Sequence, residues 1–215
     1  MIAMSSSSLS PRLFRGAIVS LGASNLLDKA IVFQYNPDGI TRTVTPKYSK
    51  TPEGTETFRF GGTPTEDISL TVEFDAIDHN YQHFEMSRLK FVEDVLQSVT
   101  PQLAALEALL YPSSAQVIEN ALLAERGELE IVPPIAPITL FIFGETKVLP
   151  VKITSCTITE QIHDANLNPI HAKVDIKMSV LTYTDLKYSK MAYALYQANH
   201  VAKEVMSLFA LANSI

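Results

Sequence analysis

The chain has 215 residues, 47% of them hydrophobic and 19% charged, which is enough to build one sizeable core. A formal net charge of −6, with no basic cluster along the chain, argues against the basic surface that binding to a phosphate backbone requires. The single cysteine, Cys156, excludes an intrachain disulfide and a cysteine-built zinc site, and it fits a protein folded in a reducing compartment.

The opening residues, MIAMSSSSLSPRLFRG, hold a serine run and two arginines but not the apolar stretch of a secretory signal, so residues 1–14 are expected to form a flexible tail. Short strands follow from Gly16. GAIVSL and AIVFQY are the first two, and the second runs into Asn36-Pro37-Asp38-Gly39, where Pro fixes φ and Gly supplies a positive φ for a tight turn. Ile40 to Thr45 is the expected return strand. A loop bounded by Pro46, Pro52 and Gly54 leads to the strand ETFRF. After Gly61-Gly62-Thr63-Pro64, the residues Ile68, Leu70, Val72 and Phe74 alternate with Ser69, Thr71 and Glu73, the period of a sheet with one buried face.

The period then changes. Residues 81–98 read as helical in part, and Thr100-Pro101 reads as a helix cap and first helical position ahead of Leu103, Leu106, Leu109 and Leu110, with Pro112 as the stop. Ser113 or Ser114 starts another helix to about Arg126, before the proline linker Pro133 to Pro137. Strands return at Ile138 to Phe143, Val148 to Glu160 and Ala172 to Thr182, with a turn at Gly144-Glu145. Val151 and Ile153 share one parity while Cys156 and Ile158 share the other, which predicts a bulge near Thr154-Ser155. Finally, Met191, Leu195, Ala198, Ala202, Val205, Phe209 and Ala212 fall at spacings of four and three on one C-terminal helix, a seam for its own domain or for a neighbouring subunit. No window holds the roughly 20 apolar residues of a membrane span, and there is no internal repeat.

Chemistry-bearing residues are few. His79 and His83 are spaced i, i+4 with Asp75 and Asp78 nearby, the beginning of a metal site without a third ligand at motif spacing. EQIHDANLNPIHAKVDI, residues 160–176, gathers His163, Asp164 and His171 around Asn166, Asn168 and Pro169. Acid-base work needs an orienting partner and a cleft, whereas Asp, Asn and Pro make turns by bonding to local backbone and fixing it, so a connecting loop is the plainer reading. G-x-S-x-G, the phosphate-binding glycine loop and H-E-x-x-H are all absent from the sequence, and Cys156 in an apolar strand reads as an inert thiol. The expectation is a protein without catalytic residues, metal or cofactor; a small metal-dependent hydrolase using His79, His83 and a nearby carboxylate is the alternative from another class.

Taken in order, FQYNPDGITRTVTP (33–46), ISLTVEFDAID (68–78), PQLAALEALLYP (101–112), the prolines before ITLFIFG (138–144) and LPVKITSCTITEQIHDANLNPIHAKVDIKMSVL (149–181) resemble the contractile injection system tube-domain family. These are baseplate adaptor proteins of phage-tail-like particles, which join the inner tube to the spike. The likeness runs from about Gly16 to Asp185. It implies an α+β fold, mainly antiparallel β: a tube-protein-like β-barrel or sandwich over residues 15–185 with flanking helices, a helical insertion at about 81–126, and a C-terminal helix within 186–215. The role it implies is structural. The chain would assemble with itself as a six-fold ring that joins the inner-tube protein to the spike or hub protein, beside baseplate or sheath components, and nucleates tube assembly. It would be built in the bacterial cytoplasm and pass into the particle, with no nucleic acid partner and no membrane insertion. An inner-tube subunit of the same machine is the nearest alternative.

Family members commonly continue into a lysin-motif module, whose glycine-rich and asparagine-rich pattern residues 186–215 lack. The candidate structural and interface residues are Asn36 and Pro37 in the turn, Asp164, Asn166, Asn168 and Pro169 in the loop, and Met191, Leu195, Val205 and Phe209 on the last helix.

Overall fold

A computed structural model describes residues 14–22, 27–50, 56–77, 98–125, 137–144, 146–186 and 189–212. In chain order the elements are β1 (Ala17–Leu21), β2 (Leu27–Val32), β3 (Ile40–Thr45), β4 (Tyr48–Lys50), β5 (Glu56–Phe60), β6 (Thr65–Asp75), α1 (Thr100–Glu107), α2 (Ser114–Glu125), β7 (Ile138–Ile142), β8 (Val148–His163), β9 (Pro169–Val180) and α3 (Lys190–Ala212). Seven strands form one antiparallel sheet in the order β2-β1-β7-β8-β9-β6-β3, and β4 pairs with β5 as a separate ribbon. The fold is α+β and mainly antiparallel β, as the sequence predicts.

The alternation read in β6 places Ile68, Leu70, Val72 and Phe74 on its buried face. Each lies opposite a buried residue of β9: Met178, Ile176, Val174 and Ala172 respectively. Cross-strand apolar pairs of this kind are the unit of sheet stability, and a one-residue slip would turn the whole set to solvent. β8 keeps the same partners by changing phase. Val151 and Ile153 face Val180 and Met178, the register shifts between Ile153 and Ser155, and Cys156 and Ile158 then face Ile176 and Val174. The bulge falls where the parity breaks, and Thr154 Oγ1 donates to the Lys177 carbonyl at 3.1 Å beside it.

The sheet is rolled. β2 and β6 stand five strands apart, roughly 24 Å in a flat sheet, yet the Gln34 side chain, just beyond β2, hydrogen-bonds the backbone of Asp75 at the end of β6. Its Nε2 donates to the Asp75 carbonyl at 2.7 Å and its Oε1 accepts from the Asp75 N–H at 3.0 Å. Rolling gathers Ile18, Ile31, Phe33, Phe141, Leu149 and the β6 and β9 residues into one core. It does not close into a barrel, one of the two forms, barrel or sandwich, that the resemblance implies: among the described residues β2 and β3 are the two ends of the sheet and do not pair. This also corrects the expected hairpin at Asn36-Pro37-Asp38-Gly39. β2 pairs with β1 and β3 with β6, so residues 33–39 cross the open seam rather than fold a strand back on itself.

α1 plugs the roll. Val99, Leu103 and Leu106 enter the core, the Val99 N–H donates to the Pro169 carbonyl at 3.0 Å, and Lys29 Nζ reaches the Ala108 carbonyl at 2.5 Å. Thr100 is already helical, so the cap falls earlier than expected: Val99 is the cap residue and Ser98 Oγ accepts the Thr100 N–H at 3.1 Å. Pro101 sits in the first turn, where its missing N–H costs no helical hydrogen bond. The expected tail through residue 13, the helical stretch before Ser98 and most of the proline linker lie outside the described residues.

Candidate functional site

Asn36 is a clasp. Its Oδ1 accepts the Gly16 N–H and its Nδ2 donates to the Phe14 carbonyl, both at 2.9 Å, so it holds the segment leading into β1. Pro37 follows it at the mouth of a polar groove of about 650 Å³ between residues 35–39 and the outer faces of β6 and β9. The polar groups on the groove floor satisfy one another. Lys173 Nζ lies 2.6 Å from Glu73 Oε1, and Thr71 Oγ1 donates to Asp175 Oδ1 at 2.5 Å. The hydrogen bond from Lys173 holds the Glu73 carboxyl below its usual range, and the same bond raises the Lys173 ammonium.

The loop between β8 and β9 is organised by one carboxylate. Asp164 Oδ1 accepts the N–H groups of Asn166 and Asn168, each at 2.8 Å, and Oδ2 accepts from Asn168 Nδ2 at 3.0 Å. Backbone bonds from Asp164 N to the Asn168 carbonyl and from Leu167 N to the Asp164 carbonyl complete the turn, with Leu167 at φ +67°. Pro169 then opens β9 and is buried. The hydrogen bonds from Asn168, joined by that from Asn166, hold the Asp164 carboxyl below its ordinary value. A carboxyl lowered in the folded state stabilises it above the unfolded-state value, and that contribution is lost as pH falls through the lower folded value. Asp164→Ala is accordingly expected to speed amide exchange at Asn166 and Asn168 at neutral pH with little change in melting temperature, and the wild-type loop should approach the variant's exchange only in acid, below the usual aspartate range. Equal exchange in both proteins at neutral pH would contradict this role.

The histidines of that stretch point to different partners. His163 Nε2 lies 3.6 Å from Glu160 Oε2, whereas His171 Nε2 lies 4.0 Å from Glu73 Oε2 on the neighbouring strand. His79, His83 and Asp78 fall outside the described residues. Asp75 does not: its Oδ1 accepts the Ile77 N–H at 2.8 Å. Among the described residues no group of three or more His, Cys, Asp or Glu is placed to hold a metal. Burial pushes the Cys156 thiol up, with the Glu107 charge adding to it, which disfavours the thiolate needed for nucleophilic chemistry.

α3 divides lengthwise. Ala192 is buried, Leu195, Tyr196, Asn199, Ala202 and Lys203 are half-buried, and these residues face the domain. Tyr196 packs edge-on against Tyr183 with ring centroids 4.7 Å apart, and Asn199 Nδ2 donates to the Thr146 carbonyl at 2.8 Å. Lys203 Nζ lies 3.0 Å from Oε2 of buried Glu66, whose other oxygen is 3.2 Å from Arg42 Nε. Of the residues expected to form a seam, Leu195 turns towards the domain, while Met191, Val205 and Phe209 are exposed.

Other exposed apolar groups were not singled out by the sequence. Phe58 and Phe60 on β5 and Tyr48 on β4 stand out from the ribbon, with Tyr48 and Phe60 stacked at 5.9 Å, and Val117, Ile118 and Leu122 are exposed on α2. The shared parity of Phe58 and Phe60 in ETFRF was the available signal for the ribbon.

No protein-family model matches the chain, and no curated protein does. Among solved structures the chain is similar to one described as "Tail of empty GTA particle computed with helical refinement, C6 symmetry", at 13% identity and a TM-score of 0.30, over 77% of this chain and 90% of that one. At that score the likeness carries no argument. No helix among the described residues is long and apolar enough to cross a membrane.

Proposed function

We propose that this chain is a structural baseplate adaptor of a contractile injection particle, assembling as a six-fold ring that joins the inner tube to the spike hub and nucleates tube assembly. Its role is assembly rather than catalysis, and its partners are itself, the inner-tube protein, the spike or hub protein and neighbouring baseplate or sheath components. It is assembled in the bacterial cytoplasm before entering the particle. The sequence resemblance from Gly16 to Asp185 motivates this reading. The observation that supports it is the rolled sheet with β2 and β3 each carrying an unpaired edge among the described residues. Unpaired edges invite other strands, and a ring of identical subunits covers such edges with neighbouring chains. Modest contacts repeated around a ring would hold firmly through multivalency.

Tagging the protein in its native host, isolating it gently and combining mass spectrometry with negative-stain microscopy tests this directly. The expected result is recovery of tube, sheath and spike proteins in rods labelled at one end. Label along the whole rod would make the chain a tube subunit, and a lone protein without particle components would overturn the reading.

A further inference from the structure

The residues of α3 turned away from the domain form their own stripe. Met191, Ala194, Ala198, Val201, Val205, Leu208 and Ala212 succeed one another at spacings of three and four, all exposed, with Met191, Val201, Val205 and Leu208 between 41% and 65% exposed. At 3.6 residues per turn this stripe lies about 160° around the helix from the docked face of Ala192, Tyr196, Asn199 and Lys203. An alternation of three and four is the pattern of a helix that packs along a second helix.

We infer that this stripe pairs antiparallel with the same stripe of a second copy of the chain. Side-chain size selects the orientation. Between Met191 and Leu208 the small residues Ala194 and Ala198 come first and the larger Val201 and Val205 follow. A two-fold antiparallel register sets Met191 against the partner's Leu208, Ala194 against the partner's Val205 and Ala198 against the partner's Val201, and repeats each contact by symmetry. Ala194 and Ala198 then each receive a valine. A parallel, in-register pair would stack Ala194 and Ala198 on their own copies and leave two underfilled layers.

Charge agrees with this orientation. Lys190, exposed in the first turn, falls beside the last turn of the partner's helix, where the carbonyl ends favour a cation, and Glu204 meets the partner's neutral Gln197. The seam from Met191 to Leu208 is about 26 Å long. With both helices counted, that places the contact near the lower limit of roughly 1,000 Å² for specific interfaces, so the pair is weak and depends on concentration. Being two-fold, it cannot close a six-fold ring; it joins two free subunits or two rings face to face. It therefore stands or falls independently of the ring.

The full chain and Val201→Glu, a substitution at an exposed position, should be compared by sedimentation across a concentration series with circular dichroism as the folding control. Val201→Glu buries two carboxylates at the pairing seam and is expected to raise the pair's dissociation constant by at least about a hundredfold, halving the mass seen at high concentration, from dimer to monomer or from double ring to single ring. A folded variant whose mass matches the wild type overturns the inference. Should the variant misfold, cysteine cross-linking in a Cys156→Ser background decides the matter. Ala194→Cys mixed with Val205→Cys should cross-link across copies while neither does so alone. Cross-linking of Ala194→Cys with itself would mean a parallel pair, and no cross-link in any mixture would mean that some other partner covers the stripe. Either result refutes the antiparallel pair. Loss of the six-fold mass with Val201→Glu still halving what remains would overturn the ring alone.

Discussion

Replacing both cations that flank Glu66, Arg42→Ala together with Lys203→Ala, is expected to cost about 3–5 kcal/mol, whereas Glu66→Ala alone should cost roughly 1 kcal/mol. The asymmetry follows from exposure. The Glu66 side chain is 10% exposed, while those of Arg42 and Lys203 are 45% and 37% exposed. Removing the carboxylate frees two cations that are already partly in water and readily regain hydration. Removing the cations strands a charge that water barely reaches, and a buried uncompensated charge is among the costliest defects a fold can carry. For a chain of this size the double variant should melt lower by about 10 °C, and hydrogen exchange should show α3 loosened around Lys203. Adding Glu66→Leu to the double variant should restore most of the loss, since an apolar side chain needs no partner there. A double variant that loses less than about 1 kcal/mol in urea titration would mean that Glu66 is hydrated in solution.

The same carboxylate shows where sequence reading reached its limit. Periodicity reports which residues share a face, so the alternation of β6 and the phase slip of β8 were legible in the sequence, because burial repeats every two residues. In the loop from Asp164 to Pro169 the decisive hydrogen bonds join residues two and four apart, and Asp and Asn chemistry shows such bonds directly. What was illegible is long-range. Asn36-Pro37-Asp38-Gly39 has the residues of a tight turn, but nothing local states that Asn36 will hold Gly16 or that β3 will seek β6. The apolar seam read along α3 caught only Leu195 and Ala202 of the docked face for the same reason. Two of its anchors, Asn199 and Lys203, are polar, and their partners lie at Thr146 and Glu66, 53 and 137 residues away.

The start of β1 offers a sharper test of how the roll is packed. A Cβ on Gly16 would lie 2.7 Å and 2.9 Å from ring carbons of Phe33 and 2.8 Å from one of Phe143, too close for any of them to stay in place. The backbone cannot step aside, because the Gly16 carbonyl accepts the Phe33 N–H at 2.8 Å while its own N–H is held by Asn36 at 2.9 Å. Gly16→Ala should therefore act as an overpacking mutation, costing about 1–3 kcal/mol. Phe33→Ala, at a fully buried ring, should cost about 3–5 kcal/mol through the cavity it leaves. The two defects offset each other, since the methyl group of the first enters space vacated by the second. In a double-mutant cycle by urea unfolding, the combined loss should fall short of the sum by about 1 kcal/mol or more, beyond the scatter of roughly 0.5 kcal/mol expected of independent sites. Strict additivity would assign the crowding at Gly16 to Phe143 instead, and the same cycle run with Phe143→Ala would then show the coupling.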